Sequence, residues 1–276
     1  MASESDATAI QPCGFLLELS LDWIVLRASE NADHFLGESH VTLIGEPLGR
    51  FIQSEPLHDL RNLFSRFSGS GAIARTYRLR LTDDRDRYDI AFQQVGGRVL
   101  LEGVPSPDGG LGDGLSAVGG LAAGLAGSEG SALLEAAARR MRALTAFDRV
   151  TFLVGEAKAT SSRSGVPFTE GANASLSDDF PLFVCNSDEA PVAMFPRTES
   201  DAALTSALMR APSPEQKAQL HERGFGATMR IPAVLDGATI GEFRCAHLTS
   251  RRPSLELHAA AELFAQMVAL RMQMNG

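Results

Sequence analysis

The chain has 276 residues, a net charge of −9, and hydrophobic and charged contents of 44% and 21%. This composition is typical of a globular protein with two modest domains or one large one. The negative charge opposes binding to nucleic acid or anionic membranes, and no apolar run approaches the ~20 residues of a membrane span. Three widely spaced cysteines and an N-terminus without a signal core predict a cytoplasmic protein with no disulfide framework.

The first part of the chain, residues 14–103, alternates between strand-like and helix-like patterns. Phe15–Leu19 and Trp23–Ala28 predict a hairpin, and apolar residues at helical spacing follow in ENADHFLGE and LHDLRNLFSRF. Three strand-like runs come next, ARTYRLRL, RYDIAFQQV and RVLLEGV, with Gly96–Gly97 as a turn between the last two. This order predicts a five-stranded antiparallel sheet with helices on one side.

A glycine-rich stretch, 105–130, predicts a linker or a weak helix interrupted by glycines. The next segment, SALLEAAARRMRALTAF, predicts a helix with Ser131 as its N-cap, and FDRVTFLV predicts a strand. A long irregular region is expected from about 155 to 212. After it, SPEQKAQLHERGF predicts a helix, and a hairpin turns at Asp236–Gly237.

The chain closes with an amphipathic helix, SLELHAAAELFAQMVALRMQM. Its apolar positions are too numerous for one side of a lone surface helix, so we expect it to pack both on its own sheet and on a partner helix. These positions are Leu257, Ala260, Leu263, Phe264, Met267, Leu270 and Met274.

Four segments, taken in order, resemble one family. They are IQPCGFLLEL (10–19), RYDIAFQQVGGRVLLEGVPSP (87–107), RALTAFDRVTFL (142–153) and the stretch 201–252. Together they resemble the N-terminal PAS domain and the following GAF domain of bacterial phytochromes. The resemblance implies an α+β fold with a PAS domain at 1–107, a glycine-rich linker at 108–130 and a GAF domain, an antiparallel sheet flanked by helices, at 131–276. It covers nearly the whole chain, and no third, PHY-like domain is recognised.

Phytochromes of this kind hold biliverdin in the GAF pocket, attached to a cysteine upstream of a Gln-Pro motif. No cysteine precedes Gln11 here, and Cys13 stands where the family usually has histidine. Cys13 is thus a candidate attachment site or a small buried residue that opens a strand. The upstream segment that threads the family's figure-of-eight knot is also absent, which does not favour a full knot.

Asp179, Phe180 and Pro181 resemble the family's Asp-Ile-Pro motif, whose aspartate lies under the pyrrole nitrogens. The following helix, whose arginines bind the propionates in the family, is absent here. Cys185 lies in this shortened segment, either near the pocket or as a core thiol.

Other pocket positions also differ from the family. Leu153 replaces a strand tyrosine, Gln216 and Gln219 replace a pocket histidine and tyrosine, and Ala246 replaces the histidine that bonds the terminal pyrrole ring. Since strand residues alternate between faces, the neighbouring Cys245 and His247 are expected on the opposite face from Ala246, packed in the core. A zinc role would need two more ligands at compatible positions, and the sequence offers no paired spacing.

Arg230, in the middle of a predicted strand, is a candidate partner for an anionic ligand. The alternative, and the favoured one, is an arginine that extends along the strand edge into solvent.

The sequence carries no P-loop, GxSxG or HExxH motif, so no enzyme is predicted. Five histidines are expected on helix or loop surfaces: His34, His40, His58, His221 and His258.

The favoured hypothesis is a phytochrome-like sensory or adaptor protein that has lost bilin attachment and binds no cofactor. It would form a homodimer through helices 131–146 and 254–274 and contact an unknown signalling protein. Two alternatives remain: a photoreceptor that holds biliverdin through Cys13 or non-covalently, and a GAF pocket for another small ligand.

Overall fold

The computed structural model describes residues 9–67, 73–83, 86–109, 114–166, 179–197, 203–252 and 254–274. The chain forms two compact units. Unit 1 comprises Met1–Asp108, Asp188–Glu215 and Arg252–Leu255, and unit 2 comprises Gly109–Ser187, Gln216–Arg251 and Glu256–Gly276. The domain boundaries at 107 and 130 stay a prediction.

Unit 1 is built on a seven-stranded antiparallel sheet with the order β1-β10-β3-β2-β6-β5-β4. Its strands are β1 (Ala9–Ile10), β2 (Phe15–Leu19), β3 (Val25–Ser29), β4 (Ala74–Leu79), β5 (Tyr88–Val95), β6 (Arg98–Pro105) and β10 (Val192–Phe195). Five of these are the predicted strands. The other two, β1 and β10, have only two and four residues, too few for a period-two pattern to be recognised.

Three helices accompany this sheet: α1 (Ala32–Leu36), α2 (His40–Leu43) and α3 (Ser54–Phe67). Alternate residues of β2, Phe15, Leu17 and Leu19, are fully buried in the same apolar cluster as Leu60 of α3. The lone tryptophan, Trp23, is buried in this cluster too, with the Phe64 ring edge-on at 6.0 Å between centroids. The sheet thus buries one face under short helices, as predicted.

The segment Asp188–Glu215 holds the N-terminal strand β1 on both of its edges. On one edge, Ala9 pairs with Ala193 of β10. On the other, Gln11 N donates to Met209 O at 2.8 Å, and Ala211 N donates to Ala9 O at 3.1 Å. The sequence did not favour a full knot. That call concerns the segment before Gln11, and residues 1–8 of it lie outside the described residues, so it stays a prediction.

Unit 2 contains a five-stranded antiparallel sheet with the order β8-β7-β12-β11-β9. Its strands are β7 (Arg149–Val154), β8 (Ala157–Ser162), β9 (Phe183–Val184), β11 (Ala227–Leu235) and β12 (Ala238–His247). The helices beyond β6 in the chain are α4 (Gly114–Ala123), α5 (Gly130–Thr145), α6 (Pro214–Glu222) and α7 (Leu255–Met274). Asp236 and Gly237 both have positive φ values, 50° and 79°, which is the backbone of the predicted two-residue hairpin turn.

Several local predictions are wrong in detail. The region 155–212 is not irregular throughout, because β8, β9 and β10 lie in it. Helix α5 begins at Gly130, one residue before the predicted N-cap Ser131. In the glycine-rich stretch, the helix α4 agrees with the second of the two predicted alternatives. His258 is 2% exposed, not on the surface, and packs near the Phe183 ring at 6.2 Å.

Only part of the apolar set predicted for α7 faces the core. Of the seven predicted apolar contact positions, only Phe264 is fully buried. The residues that face the core are Leu255, His258, Ala261, Phe264, Ala265, Val268 and Ala269. Leu270 is 48% exposed and Met274 is 77% exposed, so part of the apolar set lies on the opposite side of the helix.

We expect Gly103→Ala to destabilise unit 1 by about 1–3 kcal/mol. A Cβ at Gly103 would lie 2.3 Å from the ring of Phe15, which is fully buried and has no room to shift. Urea unfolding followed by circular dichroism measures the loss. Gly119→Ala in α4 is the control: it meets nothing within 4 Å, and equal destabilisation of both variants would contradict the packing argument.

Candidate functional site

The sheet of unit 2 has one face that packs on α7. Phe243 of β12 stacks on Phe152 of β7 with ring centroids 3.9 Å apart, and it contacts Phe264 of α7 at 6.3 Å. Cys245 and His247 follow Phe243 at intervals of two and lie on this same face, opposite Ala246.

The other face, which we call the pocket face, carries Leu153, Arg230, Glu242, Arg244 and Ala246. Glu242 pairs in register with Leu153 of β7, and Arg244 pairs with Arg230 of β11. Two of these residues, Leu153 and Ala246, occupy positions that the sequence resemblance places beside a bilin. The strand alternation therefore puts three charged side chains on the face where the family holds its chromophore.

Arg230, Glu242 and Arg244 form an ion network on the pocket face, with Arg230 buried and the other two half-buried. The Arg230 Nε and Nη2 atoms lie 2.8 and 2.5 Å from Glu242 Oε1, and Nη1 donates to Phe180 O at 2.9 Å. Arg244 Nε donates to the second oxygen, Glu242 Oε2. The three side chains are only 9%, 14% and 16% exposed, so the favoured prediction of a solvent-extended Arg230 is wrong.

The segment that resembles the Asp-Ile-Pro motif contacts helix α6. Gln216 is 4% exposed, and its Nε2 donates to Asp179 O at 3.4 Å and to Asp179 Oδ2 at 3.3 Å. In the family, this aspartate and its carbonyl lie under the pyrrole nitrogens. Here both groups accept hydrogen bonds from Gln216, which the sequence resemblance aligns with a pocket histidine.

Next to this contact, apolar side chains fill the space around the motif. Phe180 belongs to a buried cluster with Ala246 of β12, and Pro181 beside it is also buried. The cluster consists of Phe180, Val184, Leu220, Phe225 and Ala246. The structure thus brings together Asp179, Phe180, Gln216, Arg230 and Ala246 within unit 2.

The cysteines are not gathered at the pocket face. Cys13 belongs to unit 1 and is half-buried, and Cys185 is buried after β9, where its carbonyl accepts from Arg251 N at 2.8 Å. Burial raises the pKa of the Cys245 thiol to about 12, which makes it unreactive at neutral pH.

His247 forms a structural contact on the core face. Its Nδ1 lies 2.8 Å from Asp148 Oδ2, and the same carboxylate accepts from Leu248 N at 3.2 Å. Burial lowers the pKa of His247 even though Asp148 opposes that shift. Among the described residues, no three His, Cys, Asp or Glu side chains are placed to hold a metal ion.

Sequence reasoning missed Glu242 and Arg244 as members of the site. The signal was available, because both residues alternate with Ala246 along GEFRCAH and so must share its face. What the sequence could not show is that Arg230, twelve residues earlier, reaches across to the same carboxylate.

Comparison with known proteins agrees with this architecture. The PAS_2 family of PAS folds matches residues 5–103. The chromophore-binding domain of the unusual bacteriophytochrome RpBphP3 from R. palustris superposes with a TM-score of 0.80 at 21% identity, covering 99% of this chain and 97% of that one. The chromophore-binding domain of Stigmatella aurantiaca phytochrome P1 gives 0.78 at 23% identity with all of both chains covered.

The chain has two units, and the PAS family model covers residues 5–103. Its fold is that of the bacteriophytochrome chromophore-binding domains, as the sequence resemblance predicted. The chain spans 58% of the length of the photosensory core module of Stigmatella aurantiaca phytochrome, with a TM-score of 0.78. None of the helices in the described part of the chain has the length and apolarity needed to cross a membrane.

Proposed function

We propose that this protein is a phytochrome-like sensory or adaptor module that no longer holds a bilin. It acts in the cytoplasm through protein contacts and not as an enzyme. The phytochrome fold supports the signalling class, while the altered pocket supports the loss of the chromophore.

The observation that carries the proposal is the ion network on the pocket face. Arg230 and Arg244 share the counterion Glu242 where the resemblance places a tetrapyrrole. Separating a buried ion pair without replacing its partners costs about 3–5 kcal/mol. A bilin would have to meet this cost before gaining any contact of its own.

The polar groups of the motif segment support the same conclusion. Gln216 already donates hydrogen bonds to the carbonyl and the carboxylate of Asp179, and the apolar cluster around Phe180 fills the neighbouring space. A bilin would therefore displace an existing hydrogen bond and an apolar contact together.

Co-expression with haem oxygenase, which supplies biliverdin, tests this proposal. We expect a purified protein without a red or far-red absorption band, before and after red illumination. The chromophore-binding domain of Stigmatella aurantiaca phytochrome P1, prepared in the same way, is the positive control.

A red band that shifts on illumination would overturn the proposal and support a working photoreceptor. The variant Cys13→Ser would then separate the two forms of that alternative. If the chromophore stays on the denatured unmodified polypeptide but not on denatured Cys13→Ser, it is attached at Cys13. If the spectrum of Cys13→Ser is unchanged, the chromophore is bound without a bond to Cys13.

We also propose that the module is a homodimer in which the outer face of α7 pairs with its copy. Half-buried and exposed apolar residues recur there at alternating intervals of three and four, which is the spacing of a helix–helix seam. They are Ala260, Leu263, Met267, Leu270 and Met274. Helix α5, the other predicted contributor, presents mainly small and charged residues outward, including Glu135 and Arg139.

A further inference from the structure

A cavity of about 450 Å³ lies in unit 1, where β5 begins and β6 ends. Tyr88 and Pro105, which pair in register at this end of the two strands, both line it. Every residue that lines the cavity belongs to unit 1. Pockets of a few hundred Å³ are typical of small-molecule sites, so the cavity has room for an organic ligand and not only for a single ion.

Three arginines from distant parts of the chain line this cavity. They are Arg78 of β4, Arg87 just before β5, and Arg252 before α7. Within the part of the chain that the structure describes, none of the three guanidinium groups is paired with a carboxylate. Asp86 and Asp108 line the cavity as well, so three positive charges outnumber two negative ones. The cavity is therefore locally positive in a chain whose net charge is −9.

Arg78 has a backbone conformation that side chains rarely adopt. Its φ is 58°, and the register of β4 against β5 shifts between Thr76 and Leu79, on either side of it. Irregularities of this kind redirect a side chain, and positive φ values at residues other than glycine concentrate at functional sites. The strained position of Arg78 therefore supports a binding role for its side chain.

The buried carboxylate of Asp89 fixes this conformation. Asp89 is 1% exposed, and its Oδ1 accepts from Arg78 N at 3.1 Å and from Ser106 Oγ at 2.6 Å. Arg87 Nη1 donates to Arg78 O at 3.3 Å, which links two of the three arginines. Because these contacts hold the walls of the cavity in place without a ligand, little ordering is left to be done on binding.

Two buried aromatic residues give the cavity an apolar part. Phe35 of α1 is 8% exposed and Tyr88 is 4% exposed, and Tyr88 Oη donates to Phe35 O at 2.9 Å. This bond fixes α1 on β5 beside the arginines. A ligand that fits such a lining has an organic part as well as a charged one.

We propose that this cavity binds a small organic anion with several oxygens, a phosphorylated or polycarboxylated molecule, through Arg78, Arg87 and Arg252. The planar guanidinium group matches the oxygens of phosphate and carboxylate, with which it forms paired hydrogen bonds. The site lies in unit 1, so it is independent of whether the pocket face of unit 2 holds a bilin. It gives the module a chemical input that does not require light.

Isothermal titration calorimetry of the full chain with inorganic pyrophosphate and with citrate, at constant ionic strength, tests the site. We expect at least one of them to bind with a dissociation constant of about 1 mM or lower. Tighter binding of pyrophosphate would assign the site to phosphate groups, and tighter binding of citrate would assign it to carboxylates. Arg78→Gln should raise the dissociation constant about 10-fold, because it removes a charge-assisted contact.

Two further variants complete the experiment. Arg252 is exposed, so Arg252→Gln leaves the fold intact and should weaken binding by a similar factor. Arg66→Gln is the matched control, because it removes the same charge from an exposed position on α3 outside the cavity, and it should change the dissociation constant by less than about 2-fold. No binding of either anion up to about 10 mM would overturn the proposal. Equal losses in Arg66→Gln, Arg78→Gln and Arg252→Gln would overturn it too, since they would indicate a general charge effect.

Discussion

Glu242→Leu is expected to destabilise unit 2 by about 3–5 kcal/mol, because it leaves Arg230 and Arg244 buried without their shared counterion. The Arg230 guanidinium also donates to Phe180 O, but a neutral carbonyl cannot replace the charge of Glu242. Chemical unfolding monitored by circular dichroism measures the loss, with the slope against denaturant checked to be unchanged.

Two further variants separate charge burial from loss of the side chain itself. Glu46→Leu removes an exposed i,i+4 partner of Arg50 and should cost less than about 1 kcal/mol. In the triple variant Arg230→Met, Glu242→Leu, Arg244→Met, apolar side chains replace the network, and much of the lost stability should return. A triple variant as unstable as Glu242→Leu alone would contradict the electrostatic explanation.

Leu270→Glu is expected to convert the proposed dimer into monomers. Leu270 is 48% exposed and belongs to the α7 seam, so each dimer would lose two buried leucines and gain two opposed carboxylates. The dissociation constant should rise by about 100-fold or more. Sedimentation equilibrium over a range of protein concentrations measures it.

Val41→Glu is the control for this prediction. Val41 is 73% exposed on α2 of unit 1, so the change adds the same charge at an exposed apolar position away from the seam. The dimer should persist in Val41→Glu. A monomeric unmodified protein, or a Leu270→Glu protein that stays dimeric, would contradict the seam.

The strands and hairpins of the PAS half could be predicted from the sequence because the residue patterns that specify them are local. Alternating apolar residues in FLLEL and the Gly96–Gly97 turn specify strands and hairpins through backbone geometry alone. The strands β1 and β10 escaped prediction because each is stabilised only by a partner distant in the chain, as in the pairing of Ala9 with Ala193.

The candidate site was accessible only in part, for a related reason. Alternation along GEFRCAH correctly separated Ala246 from Cys245 and His247. Arg230 was expected to extend into solvent, since a single arginine in a strand carries no signal that a carboxylate on the neighbouring strand will bury it. The heptad-like spacing in α7 was visible, but which apolar residues face the sheet was not.

The sequence by itself determined the fold class and the order of the main helices and strands, because each depends on residues close together in the chain. The tertiary structure decided the pairing of β1 with β10, the Arg230–Glu242–Arg244 network and the contacts of Glu102 with the Leu208 and Met209 amides. These depend on burial and on partners that only the folded chain brings together. Burial changes the free energy of a charge by more than any local preference does, and a lone charged residue in a strand carries no sequence signal of its burial.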